Sequence, residues 1–72
     1  MISFKFIQEE NKNFTPASKM IQYANKNNIS YYRTMFGTLL LSINGIDYEY
    51  NHYQITNNGD GTETVEIFLN VK

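Results

Sequence analysis

The chain has no cysteine and only one histidine, His52. The lack of cysteine excludes a disulfide framework, a cysteine-based zinc site and a cysteine nucleophile. A single histidine leaves little with which to bind any other transition metal. We therefore expect no metal and no cofactor, and we assign no catalytic residue.

Size limits what the core can contribute. At 72 residues the chain forms one small domain, residues 1–72. A core of this size rarely supplies more than roughly 3–5 kcal/mol of stability unless something else reinforces the fold. Since disulfides and metals are excluded, oligomerisation is the reinforcement that remains.

Positive charge and long apolar runs are also scarce. Six basic residues face seven acidic ones, which gives a formal net charge of -1 and no overall positive field to attract a phosphate backbone. No run approaches the ~20 apolar residues needed to cross a bilayer, and the amino terminus lacks the features of a secretory signal. The sequence predicts a soluble, cytoplasmic protein without a membrane partner, and nucleic acid is disfavoured.

One short segment has a helical pattern. Thr15 is a favourable N-cap, and Pro16 occupies the first helical position, where its missing N–H has no cost. Apolar residues then recur with helical spacing at Ala17, Met20, Ile21 and Ala24. The Asn-rich run that follows favours a helix end, so we predict a helix over residues 16–27.

From Gly37 onward the apolar period changes to two, which is typical of strands. Asn44-Gly45 is the preferred dipeptide of a type I′ turn and predicts a hairpin that sets Leu41 opposite Tyr48. A third strand, TVEIFLNV, follows the turn-rich NNGDGT.

The third strand joins the same apolar face only if Leu69, or another odd-numbered residue, lies opposite Tyr50. That condition requires an even-length loop or a β-bulge near residues 59–61.

These elements predict an α+β fold in which one helix packs on a three-stranded antiparallel meander, with strands near 37–43, 46–56 and 62–71. Two segments stay open. ISFKFI could be an additional N-terminal edge strand, and ISYYRTMF could extend the first strand of the hairpin backward.

The predicted sheet has more apolar surface than one narrow helix face can cover. Leu40 and Phe68 also fall on the face of the sheet that points away from the helix, toward solvent. At roughly 25 cal/mol per Å², leaving several such side chains in water forfeits several kcal/mol. In a two-fold symmetric dimer the same apolar patch of each copy packs against the other copy, so we predict a homodimer. The alternative is that ISFKFI or residues 29–36 cover this surface within the same chain.

Aromatic residues and arginine are enriched at protein interfaces. The interface candidates are Tyr31, Tyr32, Arg33, Phe36, Leu40, Tyr53 and Phe68. Such residues also stack on single-stranded bases, but the shortage of basic neighbours favours protein contact. We predict a protein that acts by binding an unidentified protein partner. The alternative is an accessory protein that binds single-stranded nucleic acid through Tyr31, Tyr32, Arg33 and Lys26.

Two patterns suggest chemistry only weakly. NNGDGTETVE is similar to a calcium-binding loop, but Ile67 stands where the bidentate glutamate should be. His52 and Glu49 would lie near each other in the predicted sheet, with no serine or second base to complete an acid/base site. We predict a plain hairpin loop, a packing or surface histidine, and no enzymatic activity.

The strings NFTPASKMIQYANKNN and LLLSINGIDYEYNHYQITNNGDGTETVEIFLNV resemble the Yopt family of small uncharacterised SPbeta-type Bacillus prophage proteins. The resemblance runs the length of the chain. It implies a homodimer whose subunits each have one helix and three strands. It implies no enzymatic activity, and no functional residues carry over.

Overall fold

The computed structural model describes residues 1–72 and contains five strands and one helix. In chain order these are β1 (Ile2–Glu9), α1 (Pro16–Lys26), β2 (Ser30–Arg33), β3 (Leu39–Ile43), β4 (Ile46–Asn57) and β5 (Thr62–Val71). The strands form one antiparallel sheet in the order β1-β5-β4-β3-β2. We call the side that packs against α1 the helix face and the other side the outer face. No helix in the structure combines the length and apolar character needed to span a bilayer.

The predicted three-stranded meander is wrong, because both open segments add a strand of their own. The N-terminal segment becomes the edge strand β1, paired with β5 from Ile2↔Leu69 to Glu9↔Thr62. The segment before Gly37 does not extend β3. It turns back as β2, since Gly37, at φ +86°, ends a tight turn in which its N–H donates to Thr34 O at 2.9 Å. The result is a five-stranded sheet with one short helix.

The helix follows its local signals. Thr15 Oγ1 accepts a hydrogen bond from Ser18 N at 3.3 Å, as expected of an N-cap. The helix ends at Lys26, one residue earlier than predicted. Met20 and Ala24 are its buried residues, so one narrow stripe faces the sheet, and the helix prediction is confirmed.

The hairpin prediction is also confirmed. Asn44 and Gly45 have φ values of +52° and +79°, as a type I′ turn requires. The register sets Ile43 opposite Ile46, and two pairs further along it sets Leu41 opposite Tyr48.

A β-bulge lies inside β4, not near residues 59–61. Tyr50 pairs with Leu69, as predicted, but the next pair is His52 with Phe68, so Asn51 is the extra residue. The helix face of β4 therefore uses even-numbered residues up to Tyr50 and odd-numbered residues after the bulge. This change keeps the apolar side of β5 aligned with β4 on both sides of Asn51.

The core lies between α1 and the central strands. Its buried members are Phe4, Met20, Ala24, Leu39, Leu41, Val65, Ile67 and Leu69. On the outer face, Leu40 is only 2 % exposed, and its register neighbours are Tyr32 of β2 and Glu49 of β4. The sequence left open the alternative that residues 29–36 cover part of the apolar surface within the same chain. Strand β2 does so at Leu40.

Candidate functional site

The interface candidates do not form one patch. Alternation along β2 places Tyr31 and Arg33 on the helix face and Tyr32 on the outer face. Tyr53 lies on the helix face of β4 beyond the bulge, where it pairs with Ile67.

Two candidates on the outer face are engaged within the chain. Leu40 is buried, as described above. Phe68 is partly buried and stacks on His52, with ring centroids 4.6 Å apart and an interplanar angle of 6°. The single imidazole of the chain therefore packs on an aromatic ring.

Phe36 belongs to an exposed apolar turn. We use the name apolar turn for residues 34–37, in which Met35 is 92 % exposed and Phe36 is 90 % exposed. Thr34 N donates to Thr38 O at 2.9 Å, and Arg33 Nη1 donates to Gly37 O at 2.8 Å. These bonds hold the turn while both large side chains stay in solvent. Sequence reasoning missed Met35, whose signal is the glycine that closes a four-residue turn.

A cleft of about 380 Å³ opens beside the apolar turn. It lies between the start of α1 and strands β3 and β4. Arg33 and Thr38, which flank the turn, line it together with Pro16, Ala17, Met20, Leu39, Glu49 and Tyr50. Burial, and to a lesser degree the nearby Tyr53, raises the pKa of Tyr50 above its ordinary value. The lining of the cleft contains one basic residue, Arg33, and one acidic residue, Glu49.

The largest cavity, about 500 Å³, lies along β1, and residues of α1 form its other wall. Its walls include Ser3, Lys5, Phe6, Lys19, Tyr23 and Lys26. We call it the lysine groove. Lys19 Nζ lies 4.6 Å from the centroid of the Phe6 ring, within the range of a cation–π contact.

In the glycine-rich loop between β4 and β5, the acidic side chain of Asp60 forms hydrogen bonds within the loop. Asp60 Oδ1 accepts hydrogen bonds from Thr62 N at 3.0 Å and from Thr62 Oγ1 at 2.5 Å. These bonds lower the pKa of Asp60. The carboxylate closes its own turn, and the chain has no group of three His, Asp or Glu side chains placed to hold a metal ion.

On the outer face, Tyr32 Oη donates a hydrogen bond to Asp47 Oδ2 at 2.6 Å. This hydrogen bond, followed by burial and the charge of Asp47, raises the pKa of Tyr32. A tyrosine whose folded pKa lies above its unfolded value stabilises the fold below the unfolded pKa, and this contribution is lost as pH rises through the folded pKa.

We therefore expect Tyr32→Phe to lower the urea midpoint at about pH 8, and the difference in midpoint from the wild type to narrow as the pH rises above the ordinary tyrosine pKa of about 10. Tyr31→Phe, on the other face of β2, is the matched control, because it removes a hydroxyl that makes no hydrogen bond to a carboxylate, and it should lower the midpoint at about pH 8 less than Tyr32→Phe does. A gap for Tyr32→Phe that stays constant across this range would contradict the assigned role.

Comparison with known proteins adds no assignment, since no family model, no curated protein and no solved structure matches the chain. Function is therefore inferred from the geometry of the surface features.

Proposed function

We propose that the protein is a homodimer that acts by binding another protein, and that the apolar turn of each copy enters the cleft of the other. The observation that carries this proposal is the exposure of Met35 and Phe36, both at least 90 %, in a hydrogen-bonded turn. Large apolar side chains exposed on a hydrogen-bonded turn are typical of contact surfaces, because the turn backbone is already ordered before binding.

The position of the turn suits a two-fold contact. Arg33 and Thr38 flank the apolar turn and also line the cleft, so the apolar turn and the cleft lie side by side on each copy. A two-fold axis between them brings both pairs together at once. Each large apolar side chain that becomes fully buried contributes roughly 1.5–3 kcal/mol. Four such side chains offset a large part of the cost of association, which is about 4–15 kcal/mol.

The other protein would bind the apolar surface that stays exposed in the dimer. On the helix face beyond the bulge, Tyr53 and Ile55 are 44 % and 47 % exposed. A tyrosine beside an aliphatic side chain is typical of the centre of a protein interface. The proposal also agrees with the resemblance of the chain to a family of phage-derived homodimers.

Binding of single-stranded nucleic acid is the weaker alternative. Tyr31 and Tyr32 lie on opposite faces of β2 and do not share a stacking surface, and Arg33 Nη1 is engaged with Gly37 O. Titration with a labelled oligonucleotide at low salt tests this alternative, since salt-sensitive binding at micromolar concentration would favour it.

The dimer is tested by replacing both side chains of the apolar turn. We expect Met35→Ser/Phe36→Ser to raise the dimer dissociation constant about a hundredfold or more, because it removes two buried apolar side chains per copy. The folded monomer should keep its circular dichroism spectrum, since both side chains are exposed. Sedimentation velocity across a concentration series measures the change.

The matched control is Ile7→Ser, which replaces an apolar side chain that is 69 % exposed on the outer face of β1. This variant should dimerise like the wild type. A wild type that stays monomeric at high concentration, or a double variant that dimerises as well as the wild type, would refute the proposed contact.

A further inference from the structure

The edge strand β1 has one unpaired side. It lies at the end of the sheet and pairs only with β5, so the backbone N–H and C=O groups along its other side have no partner strand. β1 has eight residues, whereas the opposite edge strand β2 has four. An unpaired edge of this length can accept an additional strand.

The lysine groove runs along this free edge. Four consecutive residues of β1, from Ser3 to Phe6, line it, so the cavity follows the backbone of the strand. The other wall is α1, which contributes Lys19 and Lys26. Phe4 stacks on Tyr23 with ring centroids 4.3 Å apart, and this contact fixes the helix wall against the strand.

The charge of the groove has a single sign. Lys19 and Lys26 line the groove from α1, Lys5 lines it from β1 with its side chain alternating to the outer face beside Glu66, and no acidic residue lines the cavity. The nearest acidic register partner is Glu66, opposite Lys5, and its Oε2 accepts a hydrogen bond from Ser3 Oγ at 2.6 Å. A chain with a formal net charge of -1 thus places two of its six basic residues, Lys19 and Lys26, on the helix wall of a groove that has no acidic lining residue.

We infer that the lysine groove binds an extended acidic peptide, which adds to the sheet as a strand beside β1. Lys19 and Lys26 are seven residues apart, about 10 Å along the helix axis. Side chains on one face of an added strand recur about every 6.7 Å. The distance between the two lysines lies between one and two such repeats, and the long lysine side chains take up the difference. Carboxylates at alternate positions of the ligand then reach the helix lysines, while its backbone pairs with β1.

Two other occupants fit less well. A second copy of the chain, paired through β1, would bring lysine against lysine, which costs binding energy. A nucleic acid backbone offers phosphate oxygens that accept hydrogen bonds, whereas the free edge presents both donors and acceptors. A peptide backbone matches both. This inference goes beyond the proposed dimer, because β1 and the apolar turn lie on opposite edges of the sheet.

The test is a fluorescence anisotropy titration of the full chain with a labelled eight-residue peptide of alternating Glu and Thr at low salt. We expect binding that weakens as salt is added. The same peptide, N-methylated at alternate residues so that it cannot pair with β1, should bind about tenfold more weakly or worse. A Lys-Thr peptide should not bind.

Lys19→Glu/Lys26→Glu is expected to reduce affinity for the Glu-Thr peptide by about tenfold or more. Lys12→Glu/Lys72→Glu is the matched control, since it changes the net charge equally at residues outside the groove. It should bind almost as well as the wild type. Urea midpoints of both variants establish that each is folded.

Four results would overturn the inference. They are absence of binding at millimolar peptide, equal binding of the N-methylated peptide, equal losses in the two charge variants, and tighter binding of an eight-residue oligothymidylate. Absence of binding would mean that the lysines only protect the edge from aggregation. None of these results bears on the dimer, which is measured without peptide.

Discussion

Ile67→Ala is expected to remove most of the free energy of unfolding of the protein. Ile67 is fully buried in β5, where its register neighbours are Phe4 of β1 and Tyr53 of β4. Truncating a buried isoleucine costs roughly 2–5 kcal/mol, because it removes apolar contacts and leaves a cavity. A domain of this size has roughly 3–5 kcal/mol in total. Urea denaturation followed by circular dichroism measures the loss.

Ile55→Ala is the matched control, because it makes the same chemical change on the same face. Ile55 is 47 % exposed, so its truncation should lower stability by less than about 1 kcal/mol. Both variants should be measured at two protein concentrations, since any contribution of Ile55 to an interface would depend on concentration. Equal losses for the two variants would mean that the core is not where the structure places it.

Elements with strong local signals could be predicted from the sequence. The helix has its cap at Thr15 and a proline at its first position, and the hairpin has Asn44-Gly45. Each signal acts within a few residues, so no knowledge of the rest of the chain is needed. The register of Tyr50 with Leu69 was also predictable, since a slip by one residue would turn the apolar side of β5 to solvent.

The missed features depend on contacts between distant segments or on irregular backbone. The sequence showed β1 only as an apolar alternation, and its place beside β5 joins residues more than 50 positions apart. The turn before β3 carries Met35 and Phe36 where a turn usually has polar residues, so the segment read as one continuous strand. No residue type marks the bulge at Asn51.

The surface features likewise divide into those that the sequence indicates and those that appear only in the folded chain. Phe36 was predicted as an interface candidate because aromatic residues are typical of interfaces, and the structure shows only that it is exposed. Leu40 looked equally exposed in the sequence, but it is buried, with Tyr32 of β2 opposite it. The lysine groove could not be predicted, because its two walls, β1 and α1, come together only in the folded chain.

Deleting Asn51 is expected to leave the fold and the strand register intact. Tyr50 and His52 already pair with the consecutive residues Leu69 and Phe68, so removing Asn51 converts the bulge into a regular ladder. No side chain changes face. The variant should remain folded, and nuclear Overhauser effects should still join Tyr50 to Leu69 and Tyr53 to Ile67.

The matched deletion is Asp47, in the same strand but before the bulge. If the Asn44-Gly45 hairpin keeps Ile46 opposite Ile43, the shortened strand can keep its register beyond the bulge only by moving Tyr48, Glu49 and Tyr50 to the opposite face. Glu49 would then take the place of Tyr48, which packs against the buried core opposite Leu41. Burying an unpaired carboxylate costs several kcal/mol, about as much as the whole domain has. The Asp47 deletion should therefore unfold the protein, and two deletions with similar effects would show that the bulge does not set which residues of β4 face the helix.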